Sequence, residues 1–134
     1  LIYLMDDSKK EKFDAILPLK LFDKGELIKY SHANWMKYYR LDILEKISNY
    51  ARNLAEIYIE KKQWEEVGYI GNKLLLWNSF HEDGMRYLVL ASKMLNKNTF
   101  SHKVYSDFIK NYEKKSGVKY PLSYNNIISH YKME

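Results

Sequence analysis

From Asn34 onward the residues Trp35, Tyr38, Tyr39, Leu41, Leu44, Ile47, Tyr50, Ala51, Leu54, Ala55, Tyr58 and Ile59 recur at intervals of two to four. Such spacing keeps one face of a 3.6-residue helix apolar and predicts one long helix over 34–61. A second helix opens at Gln63 or Trp64, turns Val67, Ile70, Leu74 and Leu75 inward, and ends near Asn78. A third spans 82–95 with Met85, Leu88, Val89, Ser92 and Leu95 inward. Thr99 is the expected cap of a fourth, which runs to Lys115 and is stopped by Gly117. Pro121 opens the connection to a last short helix over 124–130. Upstream, Ser8 and Glu11 have capping-box spacing and start a helix that Pro18 ends or kinks. "LKLFDKGEL" then reads as a short helix stopped near Gly25.

Charge placement supports the same boundaries. Glu65–Glu66 and Glu82–Asp83 fall in first turns, and Lys61–Lys62 and Lys114–Lys115 in last turns, where the helix dipole favours each sign. The paired carboxylates are thereby explained without acid–base chemistry. Displacing the stretch 53–79 by thirty-four residues brings Leu54 onto Leu88, Ala55 onto Val89, Tyr58 onto Ser92, Val67 onto Ser101 and Leu74 onto Phe108. Thirty-four is the period of the tetratricopeptide helix pair. Each matched pair joins apolar or small side chains, as interdigitating helices require. The fold class expected is all-α, a tetratricopeptide-like stack of antiparallel helix pairs (an α-α superhelix) closed at its ends by 8–27 and by the helix after Pro121.

Composition narrows the rest. A chain of 134 residues, 46% hydrophobic, suffices for one domain with a core, and five Gly and two Pro leave little room for turn-rich β architecture. No Cys is present, which removes disulfides and thiol chemistry and suits a reducing, cytoplasmic setting. "LIYLM" is too short and lacks the basic flank for a signal peptide or membrane span. Residues 1–7 are expected to be the end of an upstream domain or a linker, and 8–134 a single helical domain. The net charge of +5 is carried almost wholly by Lys, with Arg only at 40, 52 and 86. Base readout favours the bidentate Arg fork, so the fragment alone is expected to bind duplex DNA weakly and without sequence preference.

With these elements placed, the chain resembles the bacterial transcriptional activator domain. That is the tetratricopeptide-like region C-terminal to a winged-helix domain in regulators of the antibiotic-regulatory-protein class. "LFDKGELI" (21–28) is similar to the family's short helix with its Gly and acidic-Leu signature, and Trp35 and Arg40 follow at the family's spacing. "LAEIYIEKKQWEEV" resembles its first repeat turn, "MRYLVLASKML" its next helix, and "SHKVYSDFIKNYEKKSGVKYP" its closing segment. The chain departs from the family at Asn78-Ser79-Phe80, where Asp-Pro-Leu is usual, at Asn96 in place of a turn Gly, and by one extra residue before Pro121. The resemblance implies a non-catalytic interaction and regulatory domain that positions or oligomerises a DNA-binding domain encoded upstream. It would contact DNA only through that domain. The alternative is a free-standing tetratricopeptide adaptor for a peptide of an unrelated protein.

No catalytic, cofactor or metal constellation stands out. His32, His81, His102 and His130 lie far apart, and "HED" at 81–83 reads as a helix start. Gly68 and Gly71 sit inside a helix and read as close-packing positions rather than a phosphate loop. The thirteen Tyr and three Trp fall mostly at core spacing, so packing explains them better than a stacking platform for single strands. For a protein partner, including a second copy of the chain, the first helices of a tetratricopeptide stack line the groove. The outward positions are then Asn49, Arg52 and Glu56 on one helix and Asp83, Arg86, Leu90 and Lys93 on the next.

Overall fold

A computed structural model describes residues 15–23 and 34–130, with side chains at 15–20 and from 41 onward. Six helices occupy those residues, and no strand occurs among them: α1 (Leu17–Asp23), α2 (Asn34–Glu60), α3 (Trp64–Trp77), α4 (Glu82–Met94), α5 (Asn98–Ser116) and α6 (Tyr124–His130). No described helix is long and apolar enough to cross a membrane. The chain divides into two compact units, Leu1–Leu54 and Ala55–Glu134.

In the first unit, Pro18 is the second residue of α1. It occupies the first turn, where the N–H that proline lacks would have no intrahelical acceptor. Leu19 beside it is fully buried, and the Tyr50 hydroxyl donates to the Ala15 carbonyl at 2.7 Å, tying the approach to α1 onto α2. The buried stripe of α2 here is Ile43, Ile47, Ala51 and Leu54, spaced four, four and three. Leu41, expected inward, is exposed, and Ile43 takes that face. The helix expected from Ser8 and the stop at Gly25 lie outside the described residues.

In the second unit the connections between helices repeat. Lys61, Lys62 and Gln63 donate their N–H groups to the carbonyls of Ile57 (3.1 Å), Ile59 (3.0 Å) and Tyr58 (2.9 Å). Thirty-four residues on, Leu95, Asn96 and Lys97 donate to Ala91 (2.9 Å), Lys93 (3.1 Å) and Ser92 (2.8 Å). Each set closes a helix with crossed bonds about a left-handed residue, the Schellman arrangement. The left-handed residues, Lys62 at φ 57° and Asn96 at φ 63°, are again thirty-four apart. Of the two, Asn is the residue type that tolerates this conformation. The helices that follow open at Trp64 and Asn98, the same distance apart, and neither Gln63 nor Lys97 supplies a side-chain cap. Thr99 is therefore within the first turn of α5 and not its cap.

A second junction type also recurs. The Gly84 N–H donates to His81 Nδ1 at 3.1 Å at the start of α4, and the Asn126 N–H donates to Ser123 Oγ at 3.2 Å at the start of α6. His81 is thus a helix start, as the "HED" pattern suggested. Gly117 ends α5 at φ 75°, the left-handed closure its position predicts.

Helices α3 and α4 cross at closest range through two glycines. A Cβ on Gly71 would stand 2.6 Å from the Leu88 nitrogen and 2.8 Å from the Gly84 carbonyl oxygen, and one on Gly84 would stand 2.8 Å from Leu74 Cβ. Gly71 is a close-packing position, as expected. Gly68 is not, since a Cβ there would meet only Ala91 Cβ, at 3.4 Å. On the other side of α4, Ser101 is fully buried and donates to the Val89 carbonyl at 2.8 Å, and its Oγ lies 2.9 Å from the Tyr124 hydroxyl. Met85, Val89, Phe108, Tyr120 and Ile127 form the core between α4, α5 and α6. Edge-to-face rings extend it, with Tyr120 against Phe108 (5.4 Å) and against Tyr112 (5.1 Å). Tyr105, Tyr112, Tyr120 and Tyr124 are therefore packing residues.

Candidate interaction surface

The positions expected to line a groove fall in both units: Asn49 and Arg52 in the first, Glu56, Asp83, Arg86, Leu90 and Lys93 in the second. Asn49 is exposed, and it accepts a hydrogen bond from the Arg52 guanidinium one turn on. Glu56 is exposed and accepts from the Tyr87 hydroxyl at 2.9 Å, which links the end of α2 to α4. Lys93 is half-buried. Leu90 is not outward at all: it is 2% exposed, because the buried arc of α4 is wide enough to include Gly84, Met85, Tyr87, Val89, Leu90, Ala91 and Ser92. A helix enclosed on more than one side has no clean outward stripe, so counting from a repeat start misplaced this position.

Arg86 is engaged within the fold. Its guanidinium lies 3.3 Å from a Glu82 carboxylate oxygen and 3.6 Å from one of Asp83. The same Glu82 oxygen accepts from the Tyr120 hydroxyl at 2.9 Å, which carries the network from α4 to the loop before α6. Burial works against the charged guanidinium, but the Tyr120 hydroxyl, Asp83 and Glu82 outweigh it and hold the Arg86 pKa above its ordinary value. Burial, together with Glu82 and against the opposing pull of Arg86, raises the Tyr120 phenol. The acidic pair at the start of α4 thus serves the helix dipole and an ion pair at once.

A second surface went unseen in the sequence. On the flank where α3 and α5 both lie on α4, two open cavities of about 500 and 290 Å³ share Leu88 and Phe100. Gly68 and Leu75 of α3 and Val104 of α5 form walls, and Ala91 and Ser92 of α4, with Leu95 just past its end, line the floor of the larger. Phe100 is 47% exposed between them. Its position in the first turn of α5, before that helix's buried face begins at Ser101, was the available sequence signal. Among the described residues no three His, Asp or Glu side chains are grouped as a metal site. His102 instead stacks on Tyr124 with ring centres 3.9 Å apart.

No family model matches the chain, and no curated protein or solved structure matches it either. The likeness to the bacterial transcriptional activator domain rests on the residues quoted for it.

Proposed function

We propose that this chain is the non-catalytic interaction and regulatory segment of a bacterial transcriptional regulator, built as a tetratricopeptide-like stack of antiparallel helix pairs. It positions or oligomerises a DNA-binding domain and contacts a protein partner, a second copy of itself included. The observation that carries this reading is the thirty-four-residue recurrence of helix closure, left-handed turn and helix restart between 57–67 and 91–101. Such a recurrence is what a stacked helix-pair unit requires, because each unit must meet the next in the same geometry. The carboxylates that would serve acid–base chemistry are at helix starts, and Glu82 and Asp83 are bound to Arg86.

The coding sequence upstream of Leu1 tests the regulator reading directly. A winged-helix pattern joined to this chain is expected. A signal peptide, or a run of further helix pairs without a DNA-binding domain, overturns it in favour of a free-standing adaptor. Arg52→Ala and, separately, Arg86→Ala then test the α2 and α4 surfaces in the intact protein by light scattering. Self-association should weaken while the helical signal persists, and unchanged association moves the interface off these helices.

A further inference from the structure

Charge is distributed unevenly along the described chain. Residues 97–119 hold six lysines against Asp107 and Glu113, a net of +4. Residues 41–96 hold seven basic and eight acidic side chains, a net of −1. All six lysines, at 97, 103, 110, 114, 115 and 119, are exposed. The helix dipole accounts for Lys114 and Lys115, in the last turn of α5, but not for Lys103 and Lys110 at mid-helix. At intervals of seven and four, Lys103, Lys110 and Lys114 fall on one side of α5, opposite buried Ser101 and Phe108, and span about 16 Å at helical rise. Asp107 pairs with Lys103 at 3.2 Å, but both side chains are more than half exposed, so water and salt screen the pair.

We infer that the outer face of α5 is a sequence-independent contact for the phosphate backbone of duplex DNA. Protein interfaces are built around aromatic and Arg anchors and are poor in Lys, whereas this face offers Thr99, Ser106, one carboxylate (Asp107) and lysines, with His102 already stacked on Tyr124. A membrane-surface helix needs an apolar face turned to lipid, and the apolar face of α5 is turned to α4 and α6. Lysines without Arg supply point charges for phosphates and no forked reader of bases. The contact would hold DNA beside the reading domain; in that respect it rests on the regulator proposal.

The test is a salt titration of the full chain with a random-sequence duplex. Neutralising about three phosphates predicts a contribution of roughly −2.7 to the slope of log K against log salt. Lys103→Gln, Lys110→Gln and Lys114→Gln together should flatten the slope by that amount and weaken low-salt binding about tenfold or more. Lys46→Gln, Lys61→Gln and Lys62→Gln, all at exposed positions, change the net charge equally and should leave most of the slope in place. Gln retains helix propensity, and circular dichroism is the check that both variants fold. Equal losses in the two variants would reduce the effect to net charge, and an unchanged slope in the α5 variant would remove the site; either overturns the inference. So would α5-dependent binding to vesicles containing phosphatidylserine that the duplex cannot displace. An upstream sequence without a DNA-binding domain sinks the regulator reading while leaving these slopes as measured.

Discussion

Substituting alanine for Gly71 and, separately, for Gly68 sets two opposing effects against each other on one helix. In either place, replacing glycine inside a helix favours the fold by about 1 kcal/mol through backbone entropy. At Gly71 the new methyl would sit 2.6 Å from the Leu88 backbone nitrogen and 2.8 Å from the Gly84 carbonyl oxygen. Neither atom can yield without moving α4, so α3 and α4 must separate. Overpacking of this kind costs about 1–3 kcal/mol, at or beyond the top of that range where backbone is the obstacle. Gly71→Ala should therefore be destabilised by about 1–2 kcal/mol net. At Gly68 the methyl meets only Ala91 Cβ at 3.4 Å, an ordinary contact, so Gly68→Ala should gain about 0.5–1 kcal/mol. Urea unfolding followed by helical circular dichroism reads both. With a slope of about 2 kcal/mol per molar, the two midpoints should move in opposite directions and end roughly 1 M apart. Equal gains in both variants would mean that α3 and α4 do not cross at Gly71, and the close-packed junction would have to be abandoned.

The remaining expectations concern the core, the turns and alkaline pH. Ser101→Ala removes the hydroxyl that bonds the Val89 carbonyl and Tyr124, and should cost about 1–2 kcal/mol in thermal or urea unfolding, against almost nothing for exposed Ser106→Ala. Asn96→Gly should stabilise by up to about 1 kcal/mol, and Asn96→Val should destabilise by at least as much, because a β-branched side chain resists the left-handed turn; similar midpoints would argue against that conformation. Tyr120 has a raised pKa in the fold, so its stabilising contribution is complete below the unfolded value of 10.0 and is lost as pH climbs through the folded value. Urea midpoints taken on either side of pH 10.0 should therefore fall less in Tyr120→Phe than in the parent chain, and an equal fall would dissociate Tyr120 from that transition.

Local physics set the helix boundaries, and these were readable from the chain. A 3.6-residue apolar period defines a helix wherever the rest of the chain lies, and Gly117 adopts its left-handed closure for a reason contained in its own backbone. The thirty-four-residue offset was visible as weakly matched side chains, and the structure carries it in backbone terms, with Lys62 and Asn96 in the same conformation. What needed the tertiary structure was every feature depending on a partner distant in sequence. Gly84 in the first turn of α4 is constrained by Leu74 Cβ, ten residues away on α3. Arg86 looked free for a partner until Tyr120, thirty-four residues later, shared its Glu82. Leu90 and Leu41 exchanged their expected exposures because neighbours cover a helix on one side or on several. Periodicity specifies that an apolar stripe exists, and only the neighbours that pack around a helix decide how wide an arc they cover and which polar groups they hold.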